Sequence, residues 1–296
     1  GGMKMKRREF LGLAAGAAAM GGCCSLFRGE QPKILFGACR GIKDVPLMKE
    51  IGYDFFEGGV AGMFVPEKDE EAWKKQKEAI LAAPLPLRSC NGFLPGKFRL
   101  TGPKATFDAP LAYAETACRR ADEVGLKTIV FGSGGARNAP DGFPKDQAVE
   151  QFTDFCRKLA LRIAGCRVTV VLEPLQPKEA NFLNFVREGV VICRKVGSPR
   201  IRVLADIFHM EQGGEGADSI RMAGSLLKHC HIAEKGTRTA PGLKGDGSEF
   251  APYFDALKEI GYAGGVSCEC GWGDKKDFAK NLETALATLK RLAGQA

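Results

Sequence analysis

The chain has 296 residues, 45% of them hydrophobic and 26% charged, which is ordinary for a soluble globular protein and enough for one large domain with an ample core. Its formal net charge of +8 would suggest a polyanionic partner, but Lys4, Lys6, Arg7, Arg8 and Arg28 stand against Glu9 alone in the first 28 residues. The remainder has no run of like charge, which argues against a groove that tracks nucleic-acid phosphates.

At the start of the chain, Lys6-Arg7-Arg8-Glu9-Phe10-Leu11 leads into a weakly apolar stretch from Phe10 to Gly22, rich in Ala and Gly. Basic residues before a short apolar segment make a secretory signal, and a segment this short does not span a bilayer as a stable helix. The paired arginines followed by Phe-Leu resemble the twin-arginine export signal, whose cargo crosses the membrane already folded. Met20-Gly21-Gly22-Cys23 resembles a lipobox, with Met where Leu is usual, and makes Cys23 a candidate lipid anchor. Residues 1–28 are therefore expected to be an export signal and short tether, and 29–296 the folded domain. The expected location is the periplasm, or the membrane facing it.

Ile34–Gly37 reads as the first strand and Asp44–Ile51 as its helix. Tyr53–Glu57 is a second strand ending in a carboxylate, followed by a helix over Asp69–Ala82. Leu85–Cys90 is a third strand that opens into a loop around Asn91–Pro95. Leu111–Glu123 reads as a helix, and Lys127–Phe131 as a fourth strand running into Gly132-Ser133-Gly134-Gly135-Ala136-Arg137. That glycine-rich run lacks the Lys-Ser/Thr of a phosphate loop and reads as an active-site loop. Gln147–Ala164 has apolar positions at helical spacing. Four more apolar runs follow, with helices over Phe182–Val196, Asp218–Gly224, Phe250–Ile260 and Asp277–Leu292. Eight strands alternating with helices predict an α/β fold, a single-domain (β/α)8 barrel.

The last four apolar runs end at Glu173, Asp206, His231 and Glu269, spaced 33, 25 and 38 residues apart. Each gap is about one strand, loop and helix, so the four polar residues should meet at the C-terminal mouth. Three carboxylates and one imidazole suit a single divalent cation. All three histidines, 209, 229 and 231, fall within one strand–helix unit. That clustering makes His209 and His231 functional candidates and leaves His229 to a supporting or core role. The eleven cysteines show no repeated C-x-x-C. Cys118, Cys156, Cys166 and Cys193 read as small buried hydrophobes, and strand alternation turns Cys230, Cys268 and Cys270 away from the ligand face.

One metal so held can chelate vicinal oxygens of a hydroxyketone and stabilise an enediolate, while one carboxylate removes the α-proton and another returns it. No G-x-S-x-G elbow supports serine hydrolysis, and no G-x-G-x-x-G after the first strand supports a dinucleotide.

Glu173-Pro174-Leu175, Asp206-Ile207-Phe208-His209, His229-Cys230-His231-Ile232-Ala233-Glu234 and Gly245-Asp246-Gly247 resemble the xylose-isomerase-like barrel superfamily. Phe131–Arg137 and Asn91-x-Phe93-x-Pro95 fit its sugar phosphate isomerase/epimerase group, with ketose 3-epimerases and hydroxypyruvate isomerases, over residues 33 to 292. The resemblance implies that Glu173, Asp206, His231 and Glu269 bind one metal, Mn²⁺ first, with Mg²⁺, Co²⁺ or Zn²⁺ as alternatives. It also implies that Glu173 and Glu269 form the acid/base pair and that Glu179 and His209 bind substrate oxygens. The family's substrate-binding arginine falls six residues after the metal histidine, where this chain has Thr237, with Arg238 next. The expected activity is isomerisation or epimerisation of a ketose or related hydroxycarbonyl sugar. The alternatives are a lyase or hydrolase acting on 3-keto-glycosides by β-elimination, and a non-catalytic sugar-binding barrel. The expected partners are a small carbohydrate, no nucleic acid, a lipid at Cys23, and a second copy of the chain in a homo-oligomer. Endonuclease IV-like relatives of the superfamily hold three zinc ions, a cluster that three histidines do not furnish.

Replacing Arg7 and Arg8 together with Lys is expected to trap the protein in the cytoplasm. Cell fractionation checks this, and undiminished export of the double variant would instead indicate an ordinary Sec signal.

Overall fold

The computed structural model describes residues 33–295. The expected export signal and Cys23 lie outside the described residues. Eight strands, β1 (Leu35–Cys39), β2 (Phe55–Gly59), β3 (Leu87–Asn91), β4 (Thr128–Phe131), β5 (Thr169–Leu172), β6 (Ile201–Asp206), β7 (Leu227–Ile232) and β8 (Gly265–Cys268), pair in sequence order. Every pairing is parallel, and β8 returns to β1 with Leu35 opposite Gly265, closing the barrel. Closure removes both sheet edges, so no strand is left with unpaired backbone along its length.

Helices cover the outside of the barrel: Val45–Ile51, Glu70–Leu81, Asp108–Glu123, Lys145–Arg162, Val186–Val196, Asp218–Ala223, Ala251–Glu259 and Phe278–Ala293. Their ends follow local chemistry. Asp69 accepts from the Ala72 backbone N–H at 2.9 Å and starts its helix one residue later than the sequence pattern indicates. The helix expected from Phe182 begins only at Val186, because Asn184 turns its amide onto the Leu175 and Ala180 carbonyls and Glu188 reaches back to the Asn184 N–H.

The period-two alternation of the strands separates two cores. Val130, Val171 and Leu204 pack with one another inside the barrel. Their outward neighbours, among them Val170, Leu172, Val203 and Ala205, join the larger core between barrel and helices. Cys118, Cys156, Cys193, Cys230 and Cys268 belong to that outer core, and Cys166 and Cys270 pack against it. These thiols serve as small apolar side chains. Three elements depart from the sequence reading. Glu57 is the third residue of a strand that continues to Gly59, not a strand end. The glycine-rich loop contains a short helix, Gly134–Arg137, and a helix over Ile207–Gly213 begins directly at Asp206.

Phe55 is fully buried, and a Cβ at Gly37 would sit within the van der Waals envelope of its ring. Gly37→Ala is therefore expected to destabilise the fold by about 1–3 kcal/mol through overpacking. Urea denaturation measures this, and adding Phe55→Leu should recover part of the loss.

Candidate metal centre and active-site mouth

Alternation and barrel register decide which side chains meet. Two residues beyond the lumen-facing Val171 and Leu204 come Glu173 and Asp206, and Asp206 pairs with His231 across β6 and β7. One donor atom from each of Glu173, Asp206, His231 and Glu269 lies within 4.8 Å of the other three. Two residues beyond Val130 the chain has Gly132, where a Cβ would collide with the Glu173 carboxylate. Glycine is needed there to make room for a carboxylate, and no phosphate cradle is involved.

Each member of the cluster is oriented by a neighbour. His231 stands between two carboxylates, its Nδ1 3.0 Å from Glu173 Oε1 and 3.6 Å from Glu269 Oε2. Its Nε2 lies 3.0 Å from Glu57 Oε1, and Glu57 Oε2 in turn lies 2.7 Å from His229 Nε2. Glu57 thus accepts from both imidazoles and fixes His231 with Nδ1 toward the cluster. Asp206 Oδ1 accepts from the Phe208 and His209 backbone N–H groups at 2.8 and 3.3 Å, capping the following helix and leaving Oδ2 for a ligand. Asn91 Nδ2 donates to Glu269 Oε1 at 2.8 Å. Arg137 is fully buried and donates to the carbonyls of Gly132, Phe182, Glu173 and Leu183. It ties the ends of β4 and β5 together, and burial lowers its pKa only to about 10, so it stays charged at neutral pH.

The electrostatics show how crowded the mouth is. Burial pushes Asp206 up to about 6, with Glu269 adding to the effect and His231 opposing it. Burial also raises Glu173. Burial would raise Glu57 and Glu269 too, but the imidazoles hold Glu57 far below the usual range, and His231 with Arg238 holds Glu269 at about 2. Burial disfavours the His231 cation, yet Glu57 and Glu269 keep its pKa well above the usual value. Three buried carboxylates and the half-buried Glu269 therefore face one imidazolium and one guanidinium. A divalent cation fits this set, because it would take the place of the His231 proton and offset the repulsion that raises Asp206 and Glu173.

Around the cluster stand the residues that the resemblance assigned to substrate. His209 is buried, and its Nδ1 accepts from the Gln176 backbone N–H at 3.4 Å, which leaves Nε2 as the protonated nitrogen. That Nε2 has no hydrogen-bond partner and points between Asp206 Oδ2 at 3.5 Å and Glu179 Oε2 at 3.9 Å. Arg238 lies in a left-handed backbone conformation, φ 51°, which carries its guanidinium into the mouth. It donates to Glu269 Oε2 at 2.6 Å and to Glu179 Oε1 at 3.2 Å. A cavity of about 340 Å³ opens beside the cluster, bordered by Cys39, Arg40, Glu57, Gly59 and Asn91. Sequence reasoning gave no role to Glu57, although its place closing an apolar run was the same signal that marked the four ligands.

The molecule is thus a closed (β/α)8 barrel with a carboxylate–imidazole cluster that could hold a metal ion at the ends of its last four strands. Residues 45–292 match the xylose isomerase-like TIM barrel, and the chain belongs to that family. It is 35% identical to an L-ribulose 3-epimerase of Mesorhizobium japonicum over 132 residues, 44% of this chain and 43% of that one. It is 33% identical to a D-psicose 3-epimerase of Enterocloster bolteae over 114 residues, 38% of this chain and 37% of that one. The chain thus spans less than half the length of the curated 3-epimerases it matches. Among solved structures, a D-psicose 3-epimerase with D-tagatose from Clostridium cellulolyticum superposes with a TM-score of 0.75 at 19% identity, covering 88% of this chain and 99% of that one. That likeness is one of fold.

Glu57→Gln keeps the shape of the side chain but removes the charge that holds His231 in position. Affinity for Mn²⁺ is expected to fall by about 10–100-fold, as for other histidine-orienting carboxylates. Metal-competition titration of the folded variant checks this, and unchanged affinity would leave Glu57 a packing residue.

Proposed function

We propose that the protein is a divalent-metal-dependent epimerase or isomerase of a ketose or related hydroxycarbonyl sugar, with Mn²⁺ as the preferred ion. The observation that carries the reading is the placement of the Glu173 and Glu269 carboxylates 3.0 and 3.6 Å from His231 Nδ1, inside a four-donor cluster that Arg238 and His209 border. The similarity to an L-ribulose 3-epimerase and a D-psicose 3-epimerase supports it.

In this reading Glu173, Asp206, His231 and Glu269 hold the ion. When bound, it supplies the positive charge that polarises a carbonyl and its neighbouring hydroxyl oxygen. Glu269, a half-buried carboxylate of the cluster, takes the proton from the carbon α to the carbonyl. Glu173, the second carboxylate beside His231 Nδ1, returns a proton on the opposite face. His209 donates from Nε2 to a substrate oxygen, and Arg238, released from Glu179 and Glu269, binds another. The cavity beside β1–β3 takes the far end of the sugar. Its volume of about 340 Å³ suits a small polyol. With the export signal, the same reading puts this chemistry on the periplasmic side of the membrane.

Wild-type protein loaded with Mn²⁺ is expected to exchange the C3 proton of D-psicose or L-ribulose in deuterated water, followed by NMR. Glu269→Gln should slow that exchange by about 100-fold or more, since it retains an oxygen donor but loses the base. Exchange at the wild-type rate in Glu269→Gln would overturn the two-carboxylate mechanism.

A further inference from the structure

All eight strands run parallel, so their N-terminal ends share one face, opposite the metal cluster. In most barrels of this architecture that face serves stability, not chemistry. Here it contains a cavity of about 490 Å³ between the starts of β3, β4, β5, β7 and β8. Its walls carry Arg88, Lys127, Arg167 and Lys228 with the hydroxyls of Thr128 and Thr169, and they include no carboxylate. Asp122 neutralises Arg167, accepting from its backbone N–H at 2.8 Å and its Nε at 3.2 Å. Arg88, Lys127 and Lys228 have no ion-pair partner among the described residues.

Three unpaired cations around one concavity repel one another, and the low-dielectric walls focus their field on the space between them. The volume falls in the range of small-molecule sites, roughly 300–1,000 Å³. A guanidinium fork matches two oxygens of a tetrahedral oxyanion, and the ammonium groups and the Thr169 hydroxyl can bind the others, the Thr128 hydroxyl being taken up by Ser89 at 3.0 Å. The chain also enters the domain on this face, at Lys33. We propose that this basin is a binding site for a phosphate-ester group, separate from the metal centre and independent of its chemistry. The group is carried either by a soluble molecule or by a phospholipid headgroup.

The test uses the metal-loaded protein, inorganic phosphate followed by ³¹P NMR, and flotation with phosphatidylglycerol or phosphatidylcholine vesicles. The variant is Arg88→Gln with Lys127→Gln and Lys228→Gln, whose metal content and sugar turnover should match the wild type because none of the three residues lies at the other mouth. Saturable phosphate binding is expected in the wild type, at least about tenfold weaker in the triple variant and weakened by salt. Arg88→Lys, which keeps the charge but loses the fork, should fall between the wild type and the triple variant. Flotation with phosphatidylglycerol but not phosphatidylcholine, lost in the triple variant and reversed by phosphate, identifies the headgroup source. Phosphate binding without flotation identifies the soluble source. Equal phosphate affinity in the triple variant, or no engagement of either probe by the wild type, overturns the proposal.

Discussion

The mouth of this barrel is organised by the burial of negative charge. Glu57, Glu173, Asp206 and Glu269 are brought within reach of one imidazole, His231, in a place largely closed to water. Isolated carboxylates do not tolerate such burial unless they are paired, protonated or bound to a cation. Every notable arrangement nearby answers that requirement. Glu57 spreads its charge over two histidines, Asp206 puts one oxygen on a helix N-terminus, and Glu269 takes Asn91 on one oxygen and Arg238 on the other. The remaining imbalance of charge is what a divalent cation would offset, and the four candidate donors already lie close together.

The scaffold around this cluster is rigid for a separate reason. The lumen side chains Val130, Val171 and Leu204 close the barrel beneath the site, so the ligand layer stands on a packed floor. Arg137 holds the ends of β4 and β5 through four carbonyls, an interaction that depends on shape and hydrogen bonding more than on a counter-charge. Glu173 is therefore fixed twice, through its backbone by Arg137 and through its carboxylate by His231. The groups at the rim differ: Glu179 and Arg238 are partly exposed, so their ion pair is open to solvent.

Much of this was legible in the chain. Strand and helix alternate with clear periods, and a polar residue closing an apolar run signals a barrel mouth, so the fold and the four converging residues could be read directly. The contribution of β1–β3 was harder to see. Glu57 closes an apolar run as the four converging residues do, but its partners lie 172 and 174 residues away and only the closed barrel brings them to it. The role of Gly132 was equally hidden, because a glycine after a strand reads as a turn until the neighbouring strand places a carboxylate over it.

By itself, then, the sequence determined the class of fold, the identity of the clustered donors and the kind of ion they suit, since these follow from local periodicity and residue chemistry. Only the tertiary structure decided that Glu57 links both strand-seven histidines, that Arg238 and not Thr237 reaches the mouth, and that unpaired cations gather at the opposite end. Those features depend on which strands the closed register makes neighbours and on a left-handed turn at one residue. Neither leaves a periodic trace in the chain.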